Sequence, residues 1–121
     1  MTTMQRLMLK MGISADTMGF RYLPKAVEIY GDQLRAGYRM QITGELYPEV
    51  AEAFGSNVSK VERAIRHSIE RAADNAGLKN ALWNLLGDSV NWKKGKPTNG
   101  QLIAALALLS EDEMEAMIRE R

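Results

Sequence analysis

Apolar residues recur at helical rather than strand intervals along this chain, and the clearest stripe lies at its middle. Val61, Ala64, Ile65, Ser68, Ile69 and Ala72 follow i, i+3, i+4, i+7 spacing, with one small polar residue admitted. At about 100° per residue they form one band facing a core, opposite Ser59, Arg63, Arg66 and Glu70. Lys60, Glu62 and His67 flank that polar side. The pattern predicts a helix over about 58–74. Ser56 and Asn57 stand ahead of it as caps, and Ser59-x-x-Glu62 fits a capping box that would start it later.

The rest of the chain reads the same way. Met4, Leu7, Met8 and Met11 predict a first amphipathic helix stopped at Gly12, its methionines read as adaptable core packing. Residues 13–19 read as a loop. A second helix is expected from Leu23-Pro24, proline suiting a first turn, with Leu23, Ala26, Val27, Tyr30 and Leu34 buried and Gly37 ending it. Residues 38–44 connect onward, with Thr43 as a cap. A short helix follows over Tyr47–Phe54, with Pro48 in its first turn, Gly55 at its stop, and Leu46, Val50 and Phe54 on one face. Beyond residue 74, Gly77 suits a left-handed stop, and Leu78, Leu82, Leu85 and Leu86 predict a short helix closed by Gly87, with Trp83 at the edge of its stripe. Thr98 or Asn99 caps the next helix, which buries Leu102, Ile103, Leu106 and Leu109. Ser110-x-x-Glu113 opens a last one bearing Met114, Met117 and Ile118. The expected fold is all-α: a compact six- to seven-helix domain spanning residues 1–121.

Two of these helices stand in a special relation. The helix ending at Gly55 and the one starting near residue 58 are separated by only a few residues, as a helix-turn-helix over about 46–75 requires. Ala51 is small where the two must cross, and Ser56 takes a place often held by a hydrophobic residue. Arginines opposite the core stripe of the second helix can reach guanine edges in a major groove, although the same charges would suit a solvated face.

Composition narrows the chemistry. The chain has no cysteine and a single histidine, His67, so thiolate, disulfide and histidine-built metal sites are not expected. No apolar run has the length of a membrane span, and Gln5, Arg6 and Lys10 interrupt the start as no signal peptide would. Net charge is only +1, but residues 111–121 hold five acids and two arginines, leaving +4 for residues 1–110. The acids that open the last helix suit its macrodipole. Lys93, Lys94 and Lys96, beside Trp92, lie in a loop over 88–96 that suits either an ordinary solvated loop or a phosphate clamp beside a groove. No serine–histidine–acid grouping or glycine-rich phosphate loop is present, so neither catalysis nor a cofactor is expected.

Several stretches taken together resemble a known family. Val61-Glu62-Arg63-Ala64-Ile65-Arg66-His67, with Leu46-Tyr47-Pro48 and Ile42-Thr43 before it, Gly19-Phe20-Arg21-Tyr22-Leu23 further upstream and Lys96-Pro97-Thr98-Asn99 downstream, looks like the C-terminal DNA-binding domain of sporulation stage zero proteins A. The resemblance runs from about Met4 to about Leu109. It implies a helical fold, binding of duplex DNA in the major groove at boxes with a TGTCGAA-like core, and transcriptional control in a bacterial cytoplasm.

Glu62, Arg63, Arg66 and His67 match positions of the family's recognition helix. Arg63 and Arg66 are then expected to read guanines and Glu62 a cytosine amino group, while Ser59, Lys60 and His67 meet phosphate or an adjacent base. Lys60 stands where the family has arginine, which favours a phosphate contact over a forked base contact. The resemblance also raises RNA polymerase, met by the segment after the recognition helix, and a tandem dimer on DNA as partners. That segment departs from the family's pattern, as does the acidic tail. A different kind of role, a protein-interaction module acting on a partner regulator, would keep the fold but not need the charged face. The stretch ahead of the matched helices is far shorter than the roughly 100 residues of a receiver domain, so no phosphorylation switch is expected within this chain.

Overall fold

A computed structural model of the chain describes residues 1–74 and 96–120. Six α-helices lie among the described residues, with no strand. The helix expected over 78–86, with Gly77, Gly87 and Trp83, falls outside them, as do Trp92, Lys93 and Lys94.

Helix α1 (Thr3–Lys10) is opened by a capping box: Thr2 Oγ1 accepts from the Gln5 amide at 3.1 Å and the Gln5 side chain accepts from the Thr2 amide at 2.9 Å. It buries Leu7 and Met8 and stops at Gly12, whose φ of 91° needs a residue without Cβ.

Helix α2 (Gly19–Arg35) starts earlier than its proline suggested, and Pro24 lies inside it. Proline's missing N–H removes one bond to the Phe20 carbonyl. Against that, the extra turn buries Gly19, Phe20 and Tyr22 beside Leu23. Thr17 opens this turn, its hydroxyl donating to the Ser14 carbonyl at 2.8 Å and accepting from the Phe20 amide at 3.3 Å. Gly37 ends α2 as expected, while Leu34 is only partly buried.

Residues Ile42–Leu46 form a π turn, in which the Leu46 amide donates to the Gln41 carbonyl at 3.0 Å. Thr43 does not cap it. Glu45 does so from within, accepting from the Gln41 amide at 2.8 Å while Tyr38 donates its hydroxyl to the same carboxylate. Those bonds hold Glu45 below the usual carboxylate range, the Tyr38 hydroxyl contributing most.

Helix α3 (Tyr47–Phe54) follows, with Pro48 in its first turn. Gly55, at φ 62°, lets the Ser56 amide reach back to the Ala51 carbonyl at 2.8 Å. Helix α4 (Val58–Ala73) is capped by Asn57, whose Oδ1 accepts from the Lys60 amide at 2.9 Å. This settles the start: Asn57 has the extended backbone of a cap, and Ser59 already lies within the helix. Helix α5 (Asn99–Ala107) is capped by Thr98, and α6 (Glu111–Arg119) by Ser110, both through capping boxes.

The core lies where α2 packs on α4 and α5 and α3 packs on α4. Leu23, Leu46, Ile65, Ile69, Leu102 and Ile103 are fully enclosed there. Helix α6 docks on α1. Glu115 accepts from Arg6 at 2.6 Å, Glu111 accepts from Thr3, and Lys10 Nζ donates to the Ile118 carbonyl at 2.9 Å. Glu111 is therefore a tertiary fastener as well as a partner of the helix dipole, and Glu115, beyond the first turn, is a fastener alone.

Candidate nucleic-acid interface

Helix α4 presents the candidate face because its other side is fully committed. Val61, Ile65, Ser68, Ile69 and Ala72 are buried, which turns residues 59, 60, 63 and 67 outward. Three segments fasten it. At one edge Gly19 of α2 lies against Ser68, whose hydroxyl is 3.0 Å from the Ala64 carbonyl and 3.2 Å from Thr17 Oγ1. At the turn before α4, Tyr22 donates its hydroxyl to Ser56 Oγ at 3.2 Å. The polar Ser56 after the glycine is thus used rather than merely tolerated. At the other edge Asn99, the first residue of α5, donates through Nδ2 to the Glu62 carbonyl at 3.2 Å and to the Tyr47 hydroxyl at 3.0 Å. Burial raises the Tyr47 hydroxyl's pKa and the Glu62 charge raises it further, while the Asn99 bond opposes them.

The two flanks of α4 differ in charge state. On the flank toward α5, Arg66 Nε donates to Glu62 at 3.0 Å and its Nη1 to Glu70 at 3.2 Å, while Lys96 Nζ approaches Glu70 at 3.3 Å. Three charges spaced one turn apart on α4, and Lys96 from the segment before α5, neutralise one another. The Glu62 hydrogen bond is the main cause of an Arg66 pKa above its already high ordinary value, and the Lys96 bond is the main cause of a lowered Glu70 pKa. Side-chain exposures of 37–43% keep this ladder in contact with water, so its contribution to stability is modest. It borders a groove of about 460 Å³ that Tyr47, Ile42, Pro97 and Asn99 also line. On the flank toward α2, Lys60, Arg63 and His67 line a shallower cleft of about 290 Å³ with Met18 and Tyr22. Neither Lys60 nor Arg63 has a carboxylate partner among the described residues.

Residues 4–109 match the family described as sporulation initiation factor Spo0A C terminal. The chain belongs to that family. Spo0A C-terminal domains are DNA-binding effector domains of a response regulator that controls transcription in sporulation, a regulatory and not a catalytic role. The matched span runs through the whole of α5, and α6 lies beyond it. Among the described residues no group of acids and histidine converges as a metal site, and no helix is long and apolar enough to cross a membrane.

Of the residues singled out from the sequence, Ser59, Lys60, Glu62, Arg63, Arg66 and His67 all lie on the outer side or flanks of α4, and Lys96 stands beside them through Glu70. Arg63 and Arg66 do not present alike, since Arg66 is held by two carboxylates and Arg63 by none that is described. Sequence reasoning passed over Asn99, Tyr47 and Glu70 as parts of the site. The first two lay within stretches that carried the family resemblance, and that was the signal available.

Proposed function

We propose that this chain binds duplex DNA sequence-specifically, with α4 in the major groove of a box with a TGTCGAA-like core, and so regulates transcription. The observation that carries the reading is the division of α4: one side is wholly buried, while Ser59, Lys60, Arg63 and His67 stand exposed on the other after a capped, glycine-turned corner. A major groove about 12 Å wide admits a helix of that kind. In this reading Arg63 and Arg66 take guanine edges, Glu62 a cytosine amino group, and Ser59, Lys60, His67 and Lys96 phosphate or a neighbouring base. Lys93 and Lys94 would join Lys96 on the backbone. Arg66 reaches a base by exchanging one carboxylate for it, so its contact is selective rather than simply attractive.

The test is fluorescence anisotropy of a labelled duplex carrying the box, against a scrambled duplex of equal length, over a range of salt. The expected result is tighter binding to the box, with affinity for both falling as salt rises. Equal affinity for box and scrambled duplex would remove the specific-regulator reading. A footprint spanning two adjacent boxes would support a tandem dimer, and co-retention of RNA polymerase on the box would support the second partner.

A further inference from the structure

The described cations of this chain divide by partner, and most of those without a carboxylate gather at one place. Arg6, Lys25, Arg35, Arg66 and Lys96 each face a carboxylate within 4 Å, and Lys10 is taken up by backbone carbonyls of the last turn of the chain. Arg21, Arg39, Lys60, Arg63, Arg71 and Arg119 have no carboxylate at that distance among the described residues; Arg39 precedes the π turn and Arg119 ends α6, whereas the other four gather on one flank of α4 and at the start of α2 beside it.

The geometry connects them. Lys60, Arg63 and His67 border one cleft with Met18 and Tyr22 of the α2 start. Arg71 continues that flank one turn beyond His67, so the line from Lys60 to Arg71 runs about 16 Å along the helix. Its charge is felt by Asp16 in the loop before α2, whose carboxyl is lowered first by the Ser14 hydroxyl and then by Arg71. Arg21 stands at the opposite end. Its guanidinium lies 5.6 Å from the centre of the Phe54 ring, and that ring meets Tyr22 edge-on at 5.1 Å. Stacking on the last residue of α3 holds an exposed arginine next to the turn that leads into α4.

We infer that Arg21 and Arg71 extend the candidate face into a phosphate-binding ridge along the α2 side of α4, whose partner is the sugar-phosphate backbone of duplex DNA. The inference rests on the DNA-binding reading and adds to it two residues outside the base-reading set. A cation without an acid partner gives up only water when it meets a phosphate, whereas Arg66 and Lys96 must first leave Glu62 or Glu70. One strand of a duplex carries a charge about every 3.4 Å along the axis, so a ridge of this length faces several phosphates in succession. The two flanks of α4 then do different work. Arg66 selects a base from the paired flank, and on the unpaired flank Arg21, Lys60 and Arg71 fix the helix on a strand around the base-reading Arg63.

The test is the salt dependence of binding to the box and to scrambled duplex for the whole chain and for Arg21→Gln and Arg71→Gln. Arg21→Lys and Arg71→Lys keep the charge. Arg119→Gln, at the end of α6, removes a cation away from the ridge. Each ridge contact contributes about 0.9 to the slope of log affinity against log salt, so its loss shrinks the fall across a fourfold rise in salt by about 3.5-fold. Both glutamine variants should show this on box and scrambled duplex alike, the lysine variants should restore the wild-type slope, and Arg119→Gln should leave it unchanged. Slopes unchanged in both glutamine variants, in a chain that still prefers the box, would overturn the ridge and leave the DNA-binding reading standing. A slope lowered equally by Arg119→Gln would overturn it too, since net charge alone would then be at work. A wild-type chain that binds neither duplex would overturn both. Arg71 lies on an exposed position, so its variants keep the test available if Arg21→Gln loses the Phe54 contact and unfolds.

Discussion

Replacing Gly19 by alanine should loosen α4 without touching any charged residue. A Cβ at Gly19 would fall 1.9 Å from Ser68 Oγ, 2.7 Å from Ser68 Cβ and 2.8 Å from the Ala64 carbonyl. The hydroxyl can rotate away, but the Ser68 Cβ and the Ala64 carbonyl are parts of α4 itself. Helices α2 and α4 must therefore separate, and every contact along their shared face weakens with them. Overpacking of this kind costs about 1–3 kcal/mol. With an unfolding entropy of roughly 2.1 cal/mol/K per residue, the 121-residue chain should melt about 4–12 °C lower. The assay is thermal unfolding by circular dichroism, alone and in a double-mutant cycle with Ser68→Gly. Removing the Ser68 side chain clears two of the three close atoms, so Gly19→Ala should cost less in that background than in the wild type. Gly19→Ala melting as the wild type does, or costing the same with and without Ser68, would refute the close packing of α2 on α4.

Three further outcomes follow from the same geometry. Arg66→Ala should lose about 1–3 kcal/mol of discrimination at one base pair while the melting temperature barely moves, because its ladder is exposed; affinities for single-base variants of the box check this, and unchanged preference would unseat Arg66 as a reader. Asn57→Ala should cost about 1 kcal/mol through loss of the cap on the Lys60 amide, with Asn57→Ser keeping most of it; a melting temperature equal to wild type would mean that the cap contributes nothing. Glu70 is held low mainly by Lys96, with Arg66 adding to it, so the stability it contributes is present above the ordinary carboxylate range and is lost as pH falls through its lowered value. Melting temperature against pH should fall less steeply on the acid side in Glu70→Gln, and parallel curves would contradict this.

The helices were legible because each buries one stripe, and a stripe is written in the spacing of Leu7 and Met8, of Val61, Ile65 and Ile69, or of Leu102, Ile103 and Leu106. Turn chemistry was legible at Gly12, Gly37 and Gly55, where the backbone takes positive φ. Local rules failed where tertiary burial outweighed them. Pro24 marked a helix start by preference, yet burial of Phe20 and Tyr22 extends α2 by a turn before it. The π turn before α3 has no sequence period of its own, and Glu45 bonding back to Gln41 is a matter of side-chain reach rather than spacing. At the candidate site the positions of the charges could be read from helical phase, but their pairing could not. Nothing in the recurrence of residues 59–71 announces that Lys96, arriving from beyond a separate stretch of chain, joins Glu70 and leaves Arg63 on the other flank without an acid.

The stretches outside the helix-turn-helix that carried the family resemblance also acquire a physical meaning. Gly19 and Tyr22 set one edge of α4, Tyr47 and Asn99 the other, and Lys96 meets its charged face. In this fold they act on α4, the helix proposed to read DNA. A helix that enters a groove must hold its side chains within a fraction of an ångström of the base edges, and a helix anchored only by its apolar stripe could still slide or roll on the core. Hydrogen bonds to Ser56 at its approach and to the Glu62 carbonyl in its second turn fix roll and advance together. Both lie toward the N-terminal half of α4, nearest Lys60 and Arg63. Ordering that part of the helix in the fold reduces what binding must later spend on it. The residues that make the fold recognisable are thus the ones that hold α4, the proposed reading helix, still.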